Sequence, residues 1–413
     1  MISRIALTAL SVALTAAAAA PALADEAPPV AGTVVPERDT FYSAPADLGS
    51  YRNGQLVSSR EVGARLAVAV RAWQLAFRTN DSHGNPVLGV TTVLVPVAPW
   101  TGPGARPAVS EQIAEDSTGT RCAPSYGIAT GNLQSGDQIT AMLQKGWAVV
   151  VPDFEGPNSA FLAGPQAGHA VLDSVRAVGQ FDAAGLGPET PWGLDGFSGG
   201  AAASAWAAEL QPSYAPELVF VGAAVGGVPA NLPVVMRNVD GGMYSGFLMG
   251  VTVSYQREFP ESGIGDMLNE RGRADTVAAA DLCVVDLLIR YPFRRLSEST
   301  AIDPYRADSP LMAALQRNSL GATAPRMPIY DYHSDADDVV PVGQADDLVS
   351  AWRRGGATVV TSRVPTGSHV QEAGRGQAPA QQFLAERFAG GDPVADADLD
   401  RPVGADPHRP PVR

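Results

Sequence analysis

One short segment restricts the folds open to this 413-residue chain. Residues 196–200 read Gly-Phe-Ser-Gly-Gly and are followed by an alanine-rich run at 201–210 that is typical of a helix. Between a strand and a helix, this pattern can form a turn so tight that only glycine fits on both sides of the serine. The turn would lift the Ser198 hydroxyl above a sheet and leave the Gly199 N–H free for an oxyanion. Because the pattern also arises by chance, its context has to decide.

The surrounding segments favour a sheet of mixed direction. Apolar runs at 67–78 and 87–96 flank a polar turn and predict an antiparallel hairpin. Later apolar runs at 147–153, 218–225 and 328–332 are separated by helix-like segments, which predicts crossovers and mainly parallel strands. The expected fold class is therefore α/β, with a mainly parallel central sheet covered by helices on both faces.

About 100 residues between the last two of these runs interrupt the sheet pattern and are interpreted as an inserted helical cap. An apolar stretch at 247–253 either lines an acyl tunnel or fills the core of the cap, and the core is the more ordinary role. The predicted organisation is a signal peptide at 1–24, an irregular N-terminal arm at 25–62, a core at 63–228 and 325–388, a cap at 229–324 and a disordered tail at 389–413.

The N-terminus has the pattern of an export signal. Arg4 is followed by an apolar run at 5–20, and Ala-Leu-Ala at 22–24 is a cleavage site before Asp25. We therefore expect a secreted protein. Removing 1–24, whose only charged side chain is Arg4, changes the formal net charge from −14 to −15. An acidic secreted protein is a poor partner for nucleic acid or an anionic membrane surface.

The remaining composition argues against cofactor chemistry. Lys145 is the only lysine, so a Schiff-base mechanism would depend on one residue. Cys122 and Cys283 are the only cysteines, and after export they most simply form a disulfide, the alternative being two buried thiols. Neither C-x-x-C nor H-x-x-x-H occurs, so no metal site is expected. We expect no metal or organic cofactor.

A serine nucleophile needs a base, and in α/β-hydrolases the chain order is serine, acid, histidine. Three histidines follow Ser198. His408 lies in the polar tail, and His333 precedes its candidate acids instead of following them. His369 comes just after a strand-like run at 357–361, where this order places the base.

The acid should follow the preceding strand, and the segment 331–341 offers several carboxylates. Asp337 is favoured over Asp335 because the Val-Pro that follows in its D-x-x-V-P spacing begins the next element and fixes the turn. The alternative is that these acids cap the following helix, a role expected of Asp335 and Asp338.

Several motifs together give a specific resemblance. The chain resembles the secretory lipase family, typified by fungal lipase A enzymes and shared with actinobacterial relatives, over roughly residues 40–388. The matching motifs lie at 115–117, 122–126, 155–157, 159–161, 168–173, 196–201, 206–210, 214–218 and 337–341.

The resemblance implies an α/β-hydrolase fold with a helical cap before the acid-bearing strand. It implies a triad of Ser198, Asp337 and His369, with oxyanion donors at Gly199 and Asp116. Asp116 would donate through its backbone, and a contribution from its side chain is left open. Asp116 has the alternative role of a turn or cap residue. The family disulfide matches Cys122–Cys283.

The expected function is a secreted serine ester hydrolase, a lipase or carboxylesterase, that cleaves acylglycerols or other carboxylic esters. Its expected partners are an ester or lipid substrate and, transiently, a lipid interface, with no obligate protein partner. A serine acyltransferase or peptidase on the same fold is an alternative, and so is a non-catalytic binding protein, although no triad member is missing.

Overall fold

The computed structural model describes residues 34–132 and 135–391. The predicted signal peptide and most of the predicted tail lie outside these residues. Nine strands form one sheet: β1 (Leu56–Glu61), β2 (Val70–Asn80), β3 (Pro86–Pro96), β4 (Ala108–Gln112), β5 (Ala148–Pro152), β6 (Trp192–Phe197), β7 (Phe220–Gly226), β8 (Ile329–Ser334) and β9 (Val359–Val364).

The strand order across the sheet is β1-β2-β3-β5-β4-β6-β7-β8-β9. The first four pair antiparallel, and every pair from β5 and β4 to β9 is parallel. The hairpin predicted from the runs at 67–78 and 87–96 is confirmed as β2 and β3. Parallel strands place their carboxyl ends at one edge of the sheet, where ligands bind in open α/β folds.

The segments between the strands are mostly helical. The helices are α1 (Pro124–Thr130), α2 (Gly136–Gln144), α3 (Gly164–Val178), α4 (Gly199–Tyr214), α5 (Leu232–Val239), α6 (Ser245–Glu258), α7 (Ile264–Met267), α8 (Glu270–Ala278), α9 (Val284–Arg290), α10 (Pro310–Arg317), α11 (Val342–Arg354), α12 (His369–Arg375) and α13 (Gln377–Phe388). Short 3-10 turns, including Thr120–Cys122, complete the connections.

The core has one layer on each side of the sheet. The apolar faces of α3, α4 and α11 pack on one side, and Trp352 of α11 is among the largest side chains buried there. The other side is covered by α1, α2 and α13, where Phe383 stacks on Tyr330 of β8. These layers confirm the predicted architecture, which is that of an α/β-hydrolase.

The helical insertion is observed between β7 and β8, where α5 to α10 follow one another. Its core includes Leu248 and Val251 of α6, and it packs against Phe161 and Val340 from the loops above the sheet. Most of the apolar stretch at 247–253 thus fills the core of the cap. No helix within the described residues has the length and apolar character needed to cross a membrane.

Two expectations differ from the structure. The irregular arm expected at 25–62 contains a regular strand, β1, which pairs with β2 at the sheet edge. Its sequence, Leu-Val-Ser-Ser-Arg-Glu, has little apolar character because an edge strand is covered on one side only. The acids at Asp335 and Asp338 do not cap the following helix, since α11 begins after Pro341 without a side-chain cap.

Candidate active site

Ser198 occupies the tight turn between β6 and α4. Its backbone has φ 56° and ψ −123°, a conformation rare for a residue with a side chain. A Cβ at position 196 would lie 2.5 Å from the Gly200 carbonyl oxygen, and one at position 200 would lie 1.9 Å from the Gln112 carbonyl oxygen. Glycine is therefore required on both sides of Ser198, as the sequence pattern predicts.

His369 is the first residue of α12, which begins in the loop after β9. Ser368 caps this helix through a capping box with Gln371. The His369 backbone N–H donates to the Asp338 carboxylate at 3.0 Å, and its ring packs on Phe197 with ring centroids 4.7 Å apart. The imidazole is thus held by its own helix start and by the residue before the serine.

Asp337 lies in the loop after β8. Its Oδ1 accepts hydrogen bonds from the backbone N–H groups of Val339 (2.9 Å) and Val340 (2.7 Å). The D-x-x-V-P segment therefore wraps around the carboxylate, as the sequence predicts. Burial alone would raise the pKa of Asp337, but hydrogen bonds from His333 and His369 outweigh it and hold the pKa well below its usual range.

The structure brings Ser198, His369 and Asp337 into one hydrogen-bonded chain. The His369 Nε2 lies 2.8 Å from the Ser198 Oγ, and its Nδ1 lies 2.7 Å from the Asp337 Oδ2. With hydrogen on Nδ1, His369 donates to Asp337 and accepts from the serine hydroxyl. This arrangement can withdraw a proton from Ser198 and stabilise the resulting imidazolium.

Asp116 and Gly199 lie side by side next to the serine. Gly199 is the first residue of α4, so its N–H has no acceptor within its own helix. A Cβ at Gly199 would lie 1.9 Å from the Asp116 Oδ1, and this oxygen has no hydrogen-bond partner in the described part of the chain.

Asp116 has φ 46° and is buried, and burial raises its pKa to about 7. Its carboxyl can therefore be neutral, and a donor, near neutral pH.

A narrow apolar cleft opens onto these residues. It is bounded by the loops above the sheet and by helices α5 and α6 of the insertion. Its lining residues are Asp116, Phe161, Leu162, Ser198, Gly199, Pro229, Val235, Met236, Val239, Phe247, Val339 and Val340. One residue of the 247–253 stretch, Phe247, thus lines the cleft while its neighbours pack inside the insertion.

Cys122 and Cys283 form a disulfide, as predicted. It joins the 3-10 turn that follows the Asp116 loop to the residue before α9. The same loop is fixed by Thr118, whose N–H donates to the Leu282 carbonyl at 2.9 Å. The insertion is therefore tied to the loop that carries Asp116.

Sequence reasoning missed several groups near the site. His333 was set aside as a base, and its Nε2 lies 3.2 Å from the Asp337 Oδ2. Buried carboxyl groups also lie behind the site: Ser117 Oγ lies 3.1 Å from the Glu115 Oε1 and 3.2 Å from the Glu155 Oε2. Only the i, i+4 spacing of His333 and Asp337 hinted at the first contact.

Within the described residues, no group of three His, Cys, Asp or Glu side chains is placed to hold a metal ion.

Comparison with known proteins shows that this chain is similar to lipases. Residues 128–396 match the family model described as secretory lipase. Lipase A of Moesziomyces aphidis is 32% identical over 381 residues, which cover 87% of this chain and 81% of that protein. A probable inactive lipase of Mycobacterium tuberculosis is 32% identical over 373 residues, covering 86% of this chain and 83% of that protein.

One solved structure is similar to this chain along most of its length. The crystal structure of Candida antarctica lipase A superimposes with a TM-score of 0.83 at 29% identity, covering 89% of this chain and 90% of that chain.

Proposed function

Because the chain belongs to the secretory lipase family and is a lipase-type ester hydrolase, we propose that it hydrolyses acylglycerols and other carboxylic esters through an acyl-enzyme on Ser198. The observation that carries this proposal is the pair of contacts made by His369, 2.8 Å to the Ser198 Oγ and 2.7 Å to the Asp337 Oδ2, at the floor of an apolar cleft.

In the proposed reaction, the Ser198 oxygen attacks the ester carbonyl carbon while His369 removes the hydroxyl proton. Asp337 keeps the imidazole in the required tautomer and stabilises its positive charge. The tetrahedral oxyanion is bound by the N–H groups of Gly199 and Asp116, and the neutral Asp116 carboxyl adds a third donor. His369 then protonates the leaving alcohol, and a water molecule, activated by the same imidazole, releases the acid.

The cleft supports an acyl chain as the group bound beside Ser198. Its walls are apolar except near the serine, so a fatty acyl chain would gain from leaving water there. The polar groups converge at the end where the ester carbonyl would lie. We propose a lipid interface as the transient partner that supplies such substrates.

Export is the proposed location. The pattern at 1–24 predicts a signal peptide, and the family's description as secretory supports it. Expression of the full chain, followed by N-terminal sequencing of protein from the medium, tests this. A mature protein that begins at Asp25 is expected, and retention of the intact N-terminus inside the cell would contradict export.

The substrate class is tested with p-nitrophenyl esters of two to sixteen carbons and an emulsified triglyceride. We expect kcat/KM to increase from acetate to longer chains, and the triglyceride to be cleaved. Ser198→Ala is the matched control and should lose all but a residual activity. A preference for acetate with no triglyceride cleavage would overturn the lipase assignment and favour a carboxylesterase.

A further inference from the structure

A second histidine contacts the triad carboxylate from behind. His333 lies on β8, and its side chain is completely buried. Its Nε2 lies 2.9 Å from the Val340 carbonyl oxygen and 3.2 Å from the Asp337 Oδ2. The same Oδ2 lies 2.7 Å from the His369 Nδ1. Two imidazoles therefore share one carboxylate oxygen.

This contact adds to the groups that surround Asp337. Two backbone N–H groups of the loop donate to Oδ1, and His369 Nδ1–H donates to Oδ2. The His333 Nε2–H is bonded to the Val340 carbonyl, and its nitrogen makes a longer polar contact of 3.2 Å with Oδ2. Of the two imidazoles, His369 exchanges protons during the reaction. Its ring is therefore neutral at one step and positively charged at the next, and its bond to Asp337 strengthens and weakens accordingly. His333 faces no serine and is fixed by the strand and by Val340, so it can hold Oδ2 throughout.

We propose that His333 is a positioning residue: bonded to the Val340 carbonyl, its imidazole keeps the Asp337 loop and carboxylate in the orientation that His369 requires. Its polar contact with Oδ2 also draws part of the negative charge of Asp337 away from His369. The inference rests on the proposed function, because it concerns the efficiency of the same hydrolysis. His333 touches neither the substrate nor the reacting atoms.

The charges around His333 determine the direction of the effect. The charged and titratable side chains on the elements packed around it are Asp331, Asp337, Arg363, His369 and Glu372. Burial would lower the pKa of His333, but the Asp337 and Asp331 carboxylates raise it above its ordinary value.

Whether His333 is neutral and donating or positively charged, its presence weakens the attraction of Asp337 for an imidazolium at position 369. Removal of His333 should therefore make protonation of His369 easier. The acid limb of kcat/KM, where the base becomes protonated and inactive, should move to higher pH.

The test compares His333→Leu with His333→Gln, whose amide nitrogen can occupy the position of Nε2. His333→Leu should lower kcat about tenfold, the scale of one hydrogen bond to a charged group, leave KM within about twofold, and raise the acid limb by about half a pH unit. His333→Gln should restore most of kcat and the acid limb. If His333→Leu does not fold, His333→Asn, whose shorter amide does not reach Oδ2, replaces it with the same expectation.

The matched control is His169→Leu, because His169 is a half-buried histidine whose ring packs beside Tyr214, away from the triad. It should leave the pH profile unchanged. Equal losses in His333→Leu and His333→Gln with an unmoved acid limb would overturn the positioning role. Failure of the proposed function is distinguishable, since the wild-type protein would then not hydrolyse esters in a Ser198-dependent way.

Discussion

At the scale of single residues, the oxyanion side of the site depends on one carboxyl group. Asp116 is buried against Gly199, and its Oδ1 has no partner within the described residues. Burial disfavours the charged form, so the group is neutral below a pKa of about 7 and charged above it. A neutral carboxyl donates to an oxyanion, whereas a carboxylate repels it.

This predicts a loss of activity in the wild-type protein as pH increases through about 7. Asp116→Asn retains a side-chain donor that does not ionise, and asparagine tolerates the positive φ of this position. The variant should therefore keep its kcat at pH 9. Asp116→Ala should lose about 10²–10³ in kcat below pH 7, where the wild-type carboxyl donates, and the loss relative to wild type should shrink above pH 7. The measurement is the pH dependence of kcat on one soluble ester. An alkaline limb that is the same in wild type and Asp116→Asn would show that the carboxyl is not a donor.

The three residues proposed for the triad were predictable because their chemistry is ordered along the chain. Ser198 stands in a glycine pattern, and Asp337 and His369 each follow a recognisable strand. The contact between His333 and Asp337 was not predictable in the same way. It depends on the loop folding back so that Val340 reaches the imidazole, and no periodic pattern records that folding.

At the scale of secondary-structure elements, the disulfide holds two distant segments together. Cys122 and Cys283 are separated by 161 positions, and their bond ties the loop after β4 to α9. Closing a long loop restricts the unfolded chain, which in the entropic account stabilises the folded state.

We predict that Cys122→Ser combined with Cys283→Ser lowers the free energy of unfolding by about 2–4 kcal/mol. Hydrogen bonds of Thr118 to the carbonyls of Leu282 and Ala279 remain, so the variant should retain most of its kcat at low temperature. Urea denaturation with and without reductant measures the effect. Equal stability of the double variant and the oxidised wild type would contradict the prediction.

The strands that could be predicted from the sequence are those with apolar residues. The runs at 147–153 and 218–225 correspond to β5 and β7, which are almost entirely buried. In contrast, β4 reads Ala-Val-Ser-Glu-Gln and is fully buried all the same. Glu111 lies opposite Asp195 of β6, and Gln112 is hydrogen-bonded to Ser110 and to Ser204 of α4. Hydropathy does not report such contacts.

At the scale of the whole molecule, the folded state holds buried carboxyl groups that favour protons. Glu111 of β4 lies opposite Asp195 of β6 in the parallel register, and both are buried. Burial raises the pKa of both groups, that of Asp195 to about 7. In the unfolded chain, acids of this kind have pKa values of about 4.

Between these values the folded protein binds more protons than the unfolded chain, so stability must fall as pH increases. We predict that the free energy of unfolding declines between pH 5 and pH 8 by up to about 1.4 kcal/mol per pH unit for each extra proton. Glu111→Gln should flatten this decline, whereas Glu189→Gln, on the exposed surface, should not. Urea denaturation at a series of pH values measures it. A stability that increases over this range would contradict the prediction.

Active-site labelling shows whether His369 makes Ser198 a nucleophile. The protein is incubated with a p-nitrophenyl alkylphosphonate, and its intact mass and peptide map are measured. We predict one adduct per chain, located on Ser198, absent in Ser198→Ala and formed far more slowly in His369→Ala. A folded wild-type protein that takes up no phosphonate, or takes it up at another residue, would show that Ser198 is not the nucleophile.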